Sequence, residues 1–397
     1  MSNDKNAQEL LKWGLANSTA VTAGPSVEQI SADIEAGRRP DLADPNLYNA
    51  IMGKSEAQMM QEELAVALDP TRTLEDRCTA LDNFEMLIEQ IDNANNMTSM
   101  KMWPPVIGLL SASEPELQTA AAWILGTAVQ NNDKAQMAVL EYSTVGALTD
   151  LLQSGNEDVR AKAMYALSGL LKHNPAAMDQ FDKIDGWKAL RSALLDPNLS
   201  LRRKTAFLIN ALLFQDPNEF DSTPTTTTST ATSTATALAP VPHSTAAPAG
   251  APAAPLERGP ATQLTSIPHP NVARALLASG VLTTLISSLL PPGTAGVADS
   301  DLPPPSGPNG DTDPRSDLDF AEKAATALLT FTAKLPASST PSFQTALDAN
   351  TKSLFTALLA ELEGKPLDPA DAAPSRWAEL GLDEADFAAF KDKVRAW

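Results

Sequence analysis

Residue types that build catalytic and metal sites are scarce in this chain of 397 residues. It has one cysteine, Cys78, and its three histidines are scattered along the sequence. One cysteine cannot form an intramolecular disulfide, which favours a reducing compartment. A Cys/His cluster with metal-ligand spacing, a GxSxG motif and a glycine-rich phosphate loop are all missing. We therefore expect no catalytic residue, no cofactor and no bound metal.

Long apolar runs are absent as well. No stretch reaches the ~18 uninterrupted apolar residues of a membrane helix, and the polar stretch Met1–Leu10 is unlike a signal peptide. Acidic residues outnumber basic ones by 49 to 29, and the formal net charge is −20. This balance argues against nucleic acid or an anionic membrane as the main partner. It fits either a solvated acidic surface or a field that steers a basic partner, and we predict a soluble, cytoplasmic protein.

The stretch Trp103–Gln215 repeats itself with a step of 42 residues. Three columns of aligned residues keep this step through three copies: Leu117, Val159 and Leu201; Trp123, Tyr165 and Phe207; and Leu110, Leu152 and Leu194. A period of ~40–47 residues is typical of armadillo and HEAT repeats, which have two or three helices. The sequence therefore predicts an all-α, armadillo/HEAT-like helical-repeat solenoid with disordered insertions.

Each copy is predicted to consist of one helix, a turn and a longer second helix. Ahead of the copies, Ser55–Gln58 has the capping-box pattern that opens a helix, and an apolar stripe along Leu74–Ile91 indicates another helix. Cys78 belongs to this stripe and is expected in the core. The stretch Asp92–Asn96 is expected to break the second helix. Residues 55–216 are thus predicted to form a helical cap and the repeats.

The composition changes after the third copy. Residues 217–270 are dominated by Thr, Ser, Ala and Pro, and burial cannot offset their ordering entropy, so we predict a disordered insertion. Residues 271–360 are predicted to form a degraded C-terminal repeat, which a Pro/Gly/Asp-rich loop at 291–316 splits. Residues 361–397 are predicted to be a tail with a short helix, and residues 20–54 a linker.

A short amphipathic patch lies within residues 1–19. Leu10, Leu11 and Leu15 fall on one helical face. A helix this short is marginal alone. The patch is therefore expected either to dock on the end of the solenoid or to stay mobile as a contact segment for a partner.

The second helices carry basic residues in register. Lys162 and Lys204 form one column, and Arg160 and Arg202 form a second. Arg203 adds a further cation on the later helix. A solenoid binds partners on the concave surface that these helices line. For any single one of them, pairing with a neighbouring acid such as Glu157 or Asp158 is the alternative. As a set, they favour an acidic partner face.

Armadillo adaptors that clasp extended basic peptides carry an Asn four residues after the aromatic residue of the second helix. The corresponding residues here are Thr127, Gly169 and Ala211. The missing Asn ladder argues against peptide cargo of the nuclear-import type and for a folded partner.

Several stretches match a known family: Leu81–Glu89, Asp92–Asn96, Leu125–Asn132, Tyr165–Ser168 and the N-terminal Leu10–Trp13. In these stretches the sequence closely resembles the armadillo-type nucleotide exchange factors of the DnaK-type 70-kDa heat-shock chaperones. This family includes the fungal Fes-type proteins and the animal heat-shock-protein-binding protein. The resemblance extends to about Gln215.

The resemblance implies a non-enzymatic co-chaperone. Its solenoid would embrace one lobe of the ATPase domain of a cytosolic 70-kDa chaperone and displace the other, so that ADP leaves and substrate is released. Ala94, in the turn before the first regular repeat, and Lys204 match the chaperone-contacting positions. Four N-terminal residues would belong to an arm that helps to eject bound polypeptide: Leu10, Leu11, Trp13 and Leu15. We expect a monomer.

Two other functions stay open on the sequence alone. One is an armadillo scaffold for another folded partner, which the missing Asn ladder allows. The other is an enzyme in the C-terminal third, which the lack of a motif there disfavours.

Overall fold

The computed structural model describes residues 54–221, 267, 269–305, 313–368 and 373–397, and five single positions between Gln29 and Arg38. Throughout these ranges the regular structure is helical, without a strand. The chain divides into two units, Met1–Leu87 and Ile88–Trp397. The predicted N-terminal segment 1–19 lies outside the described residues, as do most of the linker and residues 222–266 of the insertion.

The first unit contains α1 (Glu56–Leu68) and most of α2 (Leu74–Ile88). The predicted capping box is confirmed, since the Ser55 hydroxyl accepts from the Gln58 amide and the Gln58 side chain accepts from the Ser55 amide. The predicted stripe is only partly buried, because Cys78 is half-buried and Leu74 is 37% exposed. The predicted end of this helix at Ile91 is wrong by three residues, because α2 ends at Ile88. Gln90 has an extended backbone and is the N-cap of the next helix.

The second unit is built from copies of three helices each. The first copy has α3 (Ile91–Ser99), α4 (Trp103–Gly108) with a 3-10 turn (Leu109–Ser111), and α5 (Pro115–Val129). The second has α6 (Asp133–Leu140), α7 (Thr144–Leu151) and α8 (Glu157–Leu171), and the third α9 (Pro175–Lys183), α10 (Gly186–Leu194) and α11 (Leu199–Gln215). The predicted two-helix copy is wrong, because it omits the short first helices, whose apolar residues are too few for a clear period.

The predicted break at Asp92–Asn96 is wrong, because this stretch lies inside α3. On this helix, Ala94 is 1% exposed and Met97 is fully buried. Burial of these side chains outweighs the low helix propensity of asparagine, which sequence patterns register as a break.

The corners between helices explain the constant period. Asn132 and Asn174 are buried N-caps, and each accepts from the amide three residues later. The residues before them, Asn131 and His173, have φ angles of +49° and +57°. Equivalent left-handed corners thus recur 42 residues apart, and they give His173 a structural role.

The predicted C-terminal repeat forms a fourth copy. It consists of α12 (Val272–Ala278), α13 (Val281–Ser287) and α14 (Leu318–Lys334). α12 begins at the N-cap Asn271, whose side chain accepts from the Arg274 amide. The chain between α13 and α14 contains the described loop residues 291–305.

The final helices are α15 (Pro341–Thr345), α16 (Ala349–Glu363), α17 (Arg376–Glu379) and α18 (Glu384–Arg395). The short helix predicted within residues 361–397 is present as α18, which packs on α14 and α16, whereas the boundary predicted at 361 falls inside α16. Phe390 of α18 lies 6.1 Å from Phe355 between ring centroids, and Trp397 lies 5.3 Å from the same ring. These aromatic contacts hold the last helix in the stack.

Both ends of the first insertion are held at one corner. The Val272 amide donates to Asp216 Oδ2 over 2.8 Å, and Asn218 Nδ2 donates to the His269 carbonyl over 2.9 Å. Asp216 follows Asn174 by one period. The insertion therefore leaves and re-enters the stack at the start of α12. This corner is equivalent to the start of α9 in the preceding copy. The predicted disordered range 217–270 includes residues that the fold holds, up to Asp221 and from His269.

Candidate functional site

The third helices of neighbouring copies, α8, α11 and α14, pack side by side. Between them lies a groove of about 370 Å³, which we call the third-helix groove. It is lined by Met164, Tyr165, Ser168, Ser200, Arg203, Lys204, Phe207, Asp319 and Lys323. The groove therefore combines aromatic rings, three cations and one carboxylate.

Close helix packing positions the aromatic column along this face. A Cβ atom on Gly126 would lie 2.3 Å from Cδ1 of Tyr165 and 3.2 Å from the Ala166 backbone, so glycine lets α5 approach α8. A Cβ on Gly169 would lie 3.1 Å from Val129. Gly169, one of the positions where the Asn ladder is missing, is thus a packing residue. Further along the column, Phe207 is 51% exposed.

The predicted lysine column reaches the surface. Lys162 Nζ lies 3.3 Å from the ring centroid of Trp123 and 6.0 Å from that of Tyr165, a cation–π arrangement. Lys204 is exposed and lines the third-helix groove. The structure extends the column to Lys323, which is the sixth residue of the 17-residue helix α14, as Lys204 is of the 17-residue helix α11.

The predicted second basic column is wrong as a surface feature. Arg160 Nε donates to Asp196 Oδ2 over 2.6 Å, and these side chains are 11% and 9% exposed. Arg202 is fully buried, and its Nη1 donates to the Pro304 carbonyl over 3.2 Å. Burial lowers the pKa of Arg202. Both guanidinium groups are therefore committed to the fold and offer no charge to a partner.

Arg203 joins α11 to the start of α14. Its guanidinium contacts Asp317 through two hydrogen bonds and lies 3.3 Å from Asp319 Oδ2. Asp317 is also the N-cap of α14, where it accepts from the Phe320 amide over 2.7 Å. Burial pushes the pKa of Asp317 upward, but the hydrogen bonds from Arg203 and from the Phe320 amide outweigh it and hold the pKa below its ordinary value.

Replacing Asp317 with alanine removes both the cap and the ion pair, and we expect a loss of about 1–3 kcal/mol in the free energy of unfolding. Asp317→Asn keeps a capping oxygen and should lose less. Because the folded-state pKa is lowered, the charge contribution is complete above the unfolded-state pKa of about 3.9 and is lost as the pH falls through the folded-state pKa. Urea unfolding at several pH values measures both effects. Equal stability of the alanine variant and the unchanged chain contradicts this role.

Ala94 lies in α3 rather than in the predicted turn, and its side chain is 1% exposed. A partner near this position would touch exposed neighbours on α3, such as Asp92 and Asn96, and not the alanine methyl. The four N-terminal residues predicted to contact the chaperone lie outside the described residues: Leu10, Leu11, Trp13 and Leu15.

The described ranges contain neither a metal-binding cluster nor a membrane-spanning helix. Within them, no three side chains of His, Cys, Asp or Glu come together in a group that could hold a metal ion. None of the described helices combines the length and the apolar character needed to cross a membrane.

Two family models match successive parts of the chain. Nucleotide exchange factor Fes1 matches residues 7–97, and the SIL1/FES1/HPBP1 C-terminal domain matches residues 93–237. The chain is also 70% identical, over 400 residues and 100% of both chains, to the Hsp70 nucleotide exchange factor FES1 of Mycosarcoma maydis. The chain belongs to the Fes1 family of nucleotide exchange factors. The resemblance drawn from the sequence stretches is thereby confirmed.

Other Fes1 relatives align with about half of the chain. The Hsp70 nucleotide exchange factor FES1 of Cryptococcus neoformans var. neoformans serotype D is 40% identical over 200 residues, 48% of this chain and 52% of that protein. The protein of the same name from Kluyveromyces lactis is 38% identical over 219 residues, 53% of this chain and 72% of its own length.

Solved structures confirm the armadillo fold of this Fes1-family chain. A designed armadillo repeat protein in complex with the peptide (KR)4 matches 86% of this chain and 100% of its own, with a TM-score of 0.50 and 12% identity. An engineered protein matches 98% of this chain and 68% of its own, with a TM-score of 0.52 and 14% identity. At such low identity, these likenesses speak for the fold alone.

Proposed function

We propose that this Fes1-family chain binds the ATPase domain of a cytosolic 70-kDa heat-shock chaperone through the third-helix groove. Binding opens the nucleotide cleft of the chaperone, accelerates the release of ADP and so promotes the release of substrate. The observation that carries this proposal is the groove itself, in which the half-exposed ring of Phe207 lies beside the exposed Lys204 on packed helices.

The chemistry of this face suits a folded partner. Phe207 and Phe214 lie seven residues apart on α11, which places them on the same side of the helix, and Phe214 is 82% exposed. Exposed aromatic side chains are typical anchors of protein interfaces. Lys204, three residues before Phe207, adds a charge that complements carboxylates on the partner. Lys162 is held over Trp123, so a second charge lies one copy away.

Exchange by such a surface follows from linkage. A factor that binds the open arrangement of the chaperone lobes more tightly than the closed one shifts the population toward the open state. Bound ADP must then weaken binding of the factor to the same extent as the factor weakens ADP binding. Couplings of about 1–3 kcal/mol, or roughly 5- to 150-fold in affinity, are typical.

This role needs no bond to be made or broken by the chain itself. We therefore propose a non-enzymatic monomer that takes no nucleic acid as partner and acts in the cytoplasm. Residues 1–19, with Leu10, Leu11, Trp13 and Leu15, are proposed as the segment that helps to displace polypeptide from the chaperone.

Release of a fluorescent ADP from the isolated ATPase domain, followed by stopped flow, tests the proposal. We expect the release rate to rise with the concentration of the full chain and to saturate. Preloading the domain with ADP should weaken its affinity for the chain by roughly 5- to 150-fold. An unchanged release rate, with helix content verified by circular dichroism, contradicts exchange. Binding without acceleration would favour the alternative, an armadillo scaffold for a folded partner.

A further inference from the structure

One carboxylate lies inside the otherwise cationic third-helix groove. Asp319 Oδ1 forms an ion pair with Lys323 of the same helix, and Asp319 Oδ2 lies 3.3 Å from Arg203 Nε on the neighbouring helix. The Asp319 side chain is 47% exposed, so solvent reaches it directly. Of the three cations that line the groove, Arg203 and Lys323 face an intramolecular carboxylate, whereas no carboxylate among the described residues pairs with Lys204.

The contacts of Asp319 are those that an acidic partner would make. Asp319 lies between two of the three positive charges of the groove, Lys323 on its own helix and Arg203 on the neighbouring helix. An exposed ion pair of this kind contributes little to stability. Its removal therefore costs the fold little, whereas its presence neutralises charge that a partner could use.

Asp317 differs from Asp319 although both contact Arg203. The Asp317 side chain is 12% exposed, caps α14 and is not among the residues that line the groove. Its pairing with Arg203 is part of the fold. Asp319 is the acid that solvent and a partner can both reach.

We propose that Asp319 is an intramolecular competitor, which occupies the position of a carboxylate of the chaperone and thereby limits the affinity of the groove. This inference rests on the proposed function and names the partner chemistry of the same groove, a carboxylate beside an apolar surface. When the partner binds, its carboxylate takes Lys323 from Asp319, while Arg203 stays with Asp317.

The test compares two full-chain variants that each remove one negative charge from α14. Asp319→Asn releases Lys323, whereas Glu322→Gln changes an exposed residue that does not line the groove. Binding of each variant to the chaperone ATPase domain is measured by titration calorimetry at low and high salt. We expect Asp319→Asn to bind about two- to fivefold more tightly than Glu322→Gln, which is the size of one exposed ion pair. Higher ionic strength should reduce this difference.

A second variant tests whether Lys323 is the released group. Lys323→Met should weaken binding less in the unchanged chain, where Asp319 competes for Lys323, than in the Asp319→Asn chain, so that the double variant loses the gain of Asp319→Asn. Equal affinities of Asp319→Asn and Glu322→Gln would overturn the inference, since only net charge would then matter. Weaker binding of Asp319→Asn would overturn it as well. If the unchanged chain does not bind the ATPase domain, the proposed function fails and the inference fails with it.

Discussion

Reversing the charge of Lys204 with Lys204→Glu is expected to weaken binding to the chaperone ATPase domain by about tenfold or more. Lys204 is an exposed cation of the third-helix groove, and within the described part of the chain no carboxylate forms an ion pair with it. A glutamate there would place like charges together in the complex, and such juxtaposition costs several kcal/mol. Stopped-flow ADP release and calorimetric titration both measure the loss. Helix content should stay unchanged, because Lys204 is not buried.

The matched control is Lys134→Glu. Lys134 is exposed on α6, outside the groove, and the substitution changes the net charge by the same amount. Long-range repulsion alone would weaken both variants equally. Unchanged affinity of Lys204→Glu would remove the lysine column from the binding surface.

Asp196→Ala is expected to lower the free energy of unfolding by about 3–5 kcal/mol. Asp196 accepts two hydrogen bonds from Arg160 and one from the Asn198 amide, over 2.6, 3.1 and 2.8 Å. Removing the carboxylate leaves the nearly buried guanidinium without its counter-charge, and an unpaired buried charge is far more costly than a lost pair. Urea unfolding followed by circular dichroism measures the loss.

Two comparisons isolate this cause. Asp179→Ala breaks the pair between Asp179 and Lys183, in which the lysine is 70% exposed, and should cost about 0.2–1 kcal/mol. Replacing Arg160 by leucine together with Asp196→Ala should recover part of the stability, since no unpaired charge then remains. A loss no greater than that of Asp179→Ala would show that solvent reaches Arg160 in the folded chain.

The 42-residue step predicted the repeat fold because identical corners recur in each copy. The columns of Leu117 and Leu110 are buried in all three copies, as a repeated core requires. The sequence also marked Lys162 and Lys204 as sharing a face. It did not show Lys323, because the two insertions between α11 and α14 destroy the step, although the position within the helix is the same.

The 42-residue step predicts which residues share a helix face, but it does not predict whether that face is exposed or buried. Arg160 and Arg202 share a face, as the step indicates. Their hydrogen-bond acceptors, Asp196 and the Pro304 carbonyl, come from other parts of the chain and cover this face. The helix α3 escaped prediction for a related reason. Its asparagines disfavour a helix locally, and burial of Ala94 and Met97 against the rest of the fold compensates for this.

Because of the corner at Asp216, the geometry of the helix stack does not depend on the length of the inserted chain. The hydrogen bonds of Asp216 and Asn218 hold the two ends of the insertion next to each other whatever lies between Asp221 and His269. The entropy of closing a loop grows only with the logarithm of its length, so a doubling costs about 0.6 kcal/mol. Sequence can therefore be gained or lost at this corner while the helices on either side keep their register.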